Sequence, residues 1–134
     1  MRQARAVRKL VVIGHVADYP GAATPKYVRL ARQALDFAER VYIVGPHAAS
    51  AAKKVSPDRA RDCASVRGLA DLLHAELRAG DLVLLKGSGH ADHLERLVLS
   101  YLPEGVSCWR DKCGRPEFCW QCRKRGAHNG TGRP

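Results

Sequence analysis

Four cysteines crowd into fifteen residues towards the end of this chain: Cys108, Cys113, Cys119 and Cys122, spaced C-x4-C-x5-C-x2-C. Each half of the quartet offers two thiolates close in sequence, and four such donors are what a tetrahedral zinc ion takes. Gly114 permits the tight turn of a metal knuckle. Trp109, Phe118 and Trp120 can cover a segment too small to bury a core of its own. In a chain without secretory features, such clustering favours metal over disulfides, with disulfides and free thiols as the alternatives. An iron–sulfur cluster is a further option that the neighbouring aromatic and basic residues do not support. Four ionised sulfurs leave no coordination position open to water, so a zinc ion held by these four cysteines would be structural.

A second group of residues could bind an anion. Gly80-Asp81-Leu82-Val83-Leu84-Leu85-Lys86-Gly87-Ser88-Gly89 reads as a strand that delivers Lys86, Gly87, Ser88 and Gly89 into a turn before a helix. Backbone N–H groups, a helix dipole and one ammonium group there would suit a carboxylate or a phosphate. Glycine at a strand–helix turn is also ordinary topology, so the loop alone is a weak signal. His90 and His93 flank Asp92, but no third ligand stands at a recognisable spacing. A solvated helix face is the simpler reading of that pair. His15 and Asp18 follow the first strand, at the edge where open sheets bind ligands. Cys63 stands alone and reads as packing. No Ser-His-Asp or Cys-His arrangement is legible, and no GxxxxGK[ST] phosphate loop occurs in the sequence.

The elements that would position these groups alternate along the chain. Lys9–Gly14 is a β-branched apolar run stopping at glycine, as in a strand buried on both faces. Thr24-Pro25 predicts a helix start, and the spacing of Tyr27, Leu30, Ala31, Ala34, Leu35 and Ala38 extends that helix to about residue 39. Val41–Gly45 is a second strand, 47–54 a short Ala-rich helix, and 62–64 a weak third strand. Ser65 caps a helix striped with Leu69, Leu72, Leu73, Ala75 and Leu77. Asp81–Leu85 is the fourth strand, and a helix from His90 to about Leu102 would carry Leu94, Leu97, Val98 and Tyr101 inward. This is the pattern of a Rossmann-like, open and mostly parallel α/β sheet flanked by helices.

Length and charge limit the partners. The chain has 134 residues, 46% hydrophobic and 27% charged, enough for one folded domain. Its longest apolar runs are four residues, whereas a membrane span needs about 20, so no membrane association is expected. The N-terminus is basic but lacks an apolar h-region, which leaves a cytoplasmic protein as the default. The net charge of +10 resembles that of a nucleic-acid binder, but residues 1–9 hold +4 and residues 107–134 hold +5. Only +1 remains for residues 10–106. The expected organisation is a basic extension over 1–7, an α/β domain over 8–103, a zinc-binding segment over 104–125 and a disordered tail over 126–134.

Three stretches resemble the C-terminal domain of the Mur ligase family: Arg8–Gly14, Ala38–Gly45, and Gly80–Ser88 followed by Leu94-Glu95-Arg96. The resemblance covers about residues 8–102, and its sharpest element is GDLVLLKGS with LER after it. It implies a domain that closes over a separate ATP-binding domain and helps bind the incoming amino acid or dipeptide in peptidoglycan synthesis. Lys86, Gly87 and Ser88 match the loop facing that amine substrate, with Gly89 where the family often has arginine. His15 stands where the family usually has aspartate, so His15 and Asp18 fall on the nucleotide side. The resemblance implies ATP and Mg²⁺ only through a partner domain, supplied in cis by a longer chain or in trans. The chain alone is then expected to be catalytically inactive. The competing expectation is a non-catalytic zinc-knuckle module for nucleic acid or protein. Arg110, Lys112, Arg115, Arg123, Lys124 and Arg125 interleave there with Trp109, Phe118 and Trp120, suiting phosphates and stacked bases.

Overall fold

A computed structural model describes residues 3–16, 23–111 and 113–123. Four strands, β1 (Arg8–Ile13), β2 (Arg40–Val44), β3 (Ala60–Cys63) and β4 (Asp81–Lys86), form one parallel sheet in the order β3-β2-β1-β4. Helices α1 (Ala23–Leu35), α2 (Ala48–Val55), α3 (Val66–Glu76) and α4 (Glu95–Leu99) complete the domain. The strand order reverses between β1 and β4, where the chain returns from the β3 edge to the other side of β1. A sheet of this kind opens a crevice at the carboxyl ends of its strands at that point.

Successive side chains of a strand point to opposite faces, and both faces of β1 and β2 are covered, whereas Leu84 of β4 stays exposed. Val11, Ile13, Val41 and Ile43 pack on one face against Tyr27, Ala31, Ala34, Ala51 and Ala52. Leu10, Val12, Tyr42 and Val44 pack on the other against Leu69, Leu73, Leu94 and Leu97. That double burial explains the unbroken apolar runs of β1 and β2. Ser65 caps α3 as expected, its hydroxyl accepting from the Gly68 N–H at 3.1 Å. Cys63 packs against the second cluster, and burial, aided by Asp62, pushes its thiol up. Among the described residues no helix is long and apolar enough to cross a membrane.

Two helices differ from the sequence expectation. α1 begins at Ala23, so Thr24-Pro25 lies in its first turn, and it ends at Leu35 rather than near residue 39. Arg59 stops it by donating to the carbonyls of Leu35, Ala38 and Glu39 at 2.9, 2.8 and 3.1 Å. The final helix is only Glu95–Leu99, with Val98 57% exposed and Tyr101 turned out to stack on His74. Residues before Glu95 are diverted to a polar network described below, and that requirement overrides helical spacing.

At the amino edge of the sheet, Arg8 grips Asp81 through Nε and Nη2 at 2.9 and 2.6 Å, joining β1 to β4. Its Nη2 also donates to the Glu76 carbonyl at 3.0 Å. The Glu76 carboxylate accepts from Tyr42 Oη at 2.5 Å, from Arg40 at 3.2 Å and from Arg61. Burial, reinforced by Glu76, pushes the Tyr42 hydroxyl up to about 12. The Arg8 guanidinium holds the Asp81 carboxyl below its ordinary range. Its contribution to stability is therefore complete above the unfolded value of about 3.9 and is lost as pH falls through the lower folded value. Thermal melts should show Asp81→Asn less stable at pH 7 by about 1–3 kcal/mol, with the difference from wild type shrinking towards pH 2. A pH-independent difference would show that the ion pair contributes nothing.

Candidate functional site

The carboxyl ends of β1 and β4 are joined by one buried carboxylate. Asp92 is 9% exposed, and its Oδ2 accepts from the backbone N–H of His15 at 2.5 Å and of Ser88 at 3.3 Å. Beside it the Gly14 N–H donates to the Lys86 carbonyl at 2.7 Å. The glycines at both strand ends leave room for this carboxylate. A Cβ on Gly87 would stand 2.5 Å from Asp92 Oδ2, and one on Gly14 would be closer still. Asp92 Oδ1 is buried without a hydrogen-bond partner. Burial pushes the Asp92 carboxyl up, and the N–H groups of His15, Ser88 and Leu94 only partly offset it.

A crevice of about 510 Å³ opens along this edge, bordered by His15, Tyr27, His47, Ser65, His90 and Asp92. His15 borders this crevice, whereas Asp18 lies outside the described residues. Lys86, Gly87 and Gly89 are exposed and Ser88 is half-buried, but none of the four lines this crevice. The loop Lys86–Gly89 thus stands outside the crevice, while Asp92, which accepts from the Ser88 N–H, borders it.

Residues 104–123 contain no helix or strand among those described, yet they are not detached. Cys108, Cys113, Cys119 and Cys122 border one small cavity of about 20 Å³, room for a single ion or water. All five cysteines are free thiols. The four sulfurs do not close into a tight donor set by themselves. Among the described residues, the set of three donors lying within 4.8 Å of one another is His93, Glu95 and Cys119. Burial, reinforced by the Glu95 carboxylate, pushes the Cys119 thiol up to about 12. For Glu95 burial acts upward, but the Cys119 N–H and the His93 ring outweigh it and lower the carboxyl.

His93 corrects the sequence reading. It is 3% exposed, not on a solvated helix face, and it borders the cysteine cavity. Arg96 is equally buried, and its guanidinium donates to four carbonyls: Asp92 at 2.8 Å, His93 at 3.2 Å, and Cys108 and Arg110 both at 3.1 Å. It also lies 5.6 Å from the centre of the Trp109 ring. Glu95 and Arg96 are therefore the clasp between the α/β domain and the cysteine segment. Sequence reasoning missed Asp92, Glu95 and Arg96 as site residues. The available signal was the pair Gly14 and Gly87, two glycines at neighbouring strand ends with something to accommodate.

This architecture is a Rossmann-like parallel α/β domain with a cysteine-lined cavity clasped to its last helix. In sequence it is homologous to a Mur ligase: 97 residues are 37% identical to the UDP-N-acetylmuramoyl-tripeptide–D-alanyl-D-alanine ligase of Treponema pallidum (strain Nichols), covering 69% of this chain. The match covers 21% of that ligase, so the chain corresponds to about a fifth of its relative's length. A MurF ligase from Thermotoga maritima, solved in complex with ADP, aligns over 63% of this chain and 19% of its own, with a TM-score of 0.48 and 20% identity. No family model matches the chain.

The glycine–carboxylate contact can be tested by a double-mutant cycle. Gly87→Ala should destabilise the domain by about 1–3 kcal/mol by overpacking against Asp92. In an Asp92→Ala background the same change should cost less, because the obstructing oxygens are gone and Leu94 Cδ1, 2.7 Å from the added Cβ, is the contact that remains. Additive effects in chemical denaturation would mean that Asp92 does not dictate the glycine.

Proposed function

We propose that this chain acts as the substrate-binding, closing domain of a Mur-like ATP-dependent amide ligase and is not catalytically competent alone. The homology over 97 residues carries this reading. In such a ligase ATP, with Mg²⁺, activates an acceptor carboxylate as an acyl phosphate, and an amine then displaces phosphate to form the amide. Both would be held by a separate ATP-binding domain, in cis or in trans, since the sequence has no GxxxxGK[ST] loop. His15 and Asp18 would lie on the nucleotide side of the closed assembly. The task of this chain is then to hold the amine substrate, an amino acid or dipeptide, by its carboxylate. Lys86 supplies the ammonium group, Ser88 a hydroxyl, and Gly87 and Gly89 unobstructed backbone. Lys86 is exposed at the end of β4, and among the described residues no hydrogen bond or ion pair holds its side chain. A place in peptidoglycan synthesis and a cytoplasmic setting belong to the same reading.

The cysteine segment would hold one structural Zn²⁺ through Cys108, Cys113, Cys119 and Cys122. The shared cavity, and the cluster of His93, Glu95 and Cys119 beside it, support this role. A second reading, a nucleic-acid-binding module, rests on Phe118 and Trp120. Both are half exposed and stacked at 4.3 Å, and Arg110, Arg115 and Arg123 are close to them in sequence.

Calorimetric titration with D-Ala-D-Ala and with single amino acids tests the ligase reading. Saturable binding is expected, weakened about tenfold or more by Lys86→Ala, the loss typical of a charged hydrogen bond. Equal heats from both proteins would remove Lys86 from the site. Titration with a short single-stranded oligonucleotide checks the alternative. Little binding is expected, whereas tight, salt-sensitive binding lost in Trp120→Ala would favour the nucleic-acid module.

A further inference from the structure

We infer that His93 is an inner-sphere ligand of the metal, replacing one of the four sulfurs, with Glu95 as the carboxylate that orients it. The inference rests on the metal reading above and changes its donor set.

The first support is an unsatisfied nitrogen. His93 Nδ1 lies 3.0 Å from Glu95 Oε1, while its Nε2 is buried and has no hydrogen-bond partner. An ionised carboxylate only accepts, so the proton belongs on Nδ1, and neutral imidazole then carries its free lone pair on Nε2. That is the tautomer a metal requires, and a carboxylate behind the ring is the usual way of fixing it. A buried acceptor left empty is costly. In a cavity bordered by four cysteines, a cation is the partner whose chemistry fits.

The second support is the backbone. His93 has φ +47°, the one positive φ outside glycine among the described residues. Side-chain-bearing residues adopt this conformation at a cost, and here it turns the ring inward, away from the solvated helix face its spacing predicts.

Distances and charge agree with inner-sphere binding. Ligand atoms of His93, Glu95 and Cys119 already lie within 4.8 Å of one another. Zn–N near 2.0–2.1 Å and Zn–S near 2.3 Å put a tetrahedral nitrogen and sulfur about 3.6 Å apart, the separation that metal binding would set between His93 Nε2 and a cysteine sulfur. Glu95 Oε1 also accepts from the Cys119 N–H at 3.0 Å, so one oxygen fixes both the ring and the backbone of a sulfur ligand. A neutral imidazole also leaves the shell with one negative charge fewer than a fourth thiolate would, where Glu95 and the Cys119 sulfur already stand side by side. The ion would then join the cysteine segment to the α/β domain.

The test uses the full chain, reconstituted anaerobically with Zn²⁺ and separately with Co²⁺. X-ray absorption of the zinc form should fit three sulfurs and one nitrogen. His93→Asn keeps a residue that tolerates the left-handed backbone but removes the donor. It should weaken zinc binding at least tenfold and change the cobalt ligand-field bands, with far-UV circular dichroism confirming the fold. A four-sulfur shell in the wild type, or one tightly held metal with unchanged cobalt bands in His93→Asn, would overturn His93 as a ligand while leaving the metal site intact. A wild-type chain that takes up neither metal would overturn the metal reading itself.

Discussion

The Arg96 guanidinium, buried among the carbonyls of Asp92, His93, Cys108 and Arg110, is the contact on which both chemical regions of this molecule rest. A planar fork of five donors can meet four acceptors in different directions, which a lysine ammonium at the same place could not do. The first two carbonyls belong to the turn that sends Asp92 to the sheet and His93 to the cysteine cavity. The other two belong to the cysteine segment. That segment has no helix or strand among its described residues, so its position depends on this guanidinium, on Glu95 and on whatever fills the cavity. Losing Arg96 would leave several carbonyls unpaired in a water-poor site, a larger penalty than the loss of the bonds alone.

The same turn explains why the sheet ends as it does. β1 and β4 are the neighbours between which the strand order reverses, and their ends would otherwise present bare backbone N–H groups. Asp92 takes two of them, from His15 and Ser88, and this requires glycine on both flanking strands. The carboxylate thus occupies the position where related sheets bind ligands. It leaves the open space displaced towards β2 and β3, where His47 and Ser65 border it.

Much of the scaffold was legible because its causes are local. β1 and β2 are unbroken apolar runs because both faces are covered, and Ser65 caps its helix through its own next turn. What was not legible depends on partners distant in sequence. The end of α1 is set by Arg59, some 20 residues on, and the spacing of Leu30, Leu35 and Ala38 carries no trace of that. The final helix is shortened by Asp92 and His93, whose burial is imposed by contacts to Gly14, Ser88 and the cysteine segment. A periodicity argument counts apolar residues and so placed Val98 and Tyr101 inward, although the polar residues decide that stretch. The cysteines were legible as a group from spacing alone. Their neighbour His93 was not, because its left-handed backbone removes it from the helical register in which it was counted.

The strongest stretch of the family resemblance, Gly80–Ser88 with Leu94-Glu95-Arg96, can now be divided by function. Asp81 binds Arg8, Leu85 packs against the second core cluster, and Gly87 makes room for Asp92. Ser88 gives its N–H to the same carboxylate, Leu94 is core, and Glu95 and Arg96 hold the cysteine segment. Those residues have structural reasons to be what they are, so their presence alone says little about a ligand. Lys86 is different. Its backbone pairs with β1, but the residue is exposed and its ammonium group has no partner among the described residues. A lysine is a poor choice for packing and an ordinary one for a sheet edge that must repel other strands. Since β4 is such an edge, the structural explanation for Lys86 is protection of the sheet, and that role is indifferent to any dissolved carboxylate. Binding of a carboxylate, and not stability, is therefore the property that separates a ligase loop at this position from a well-guarded edge.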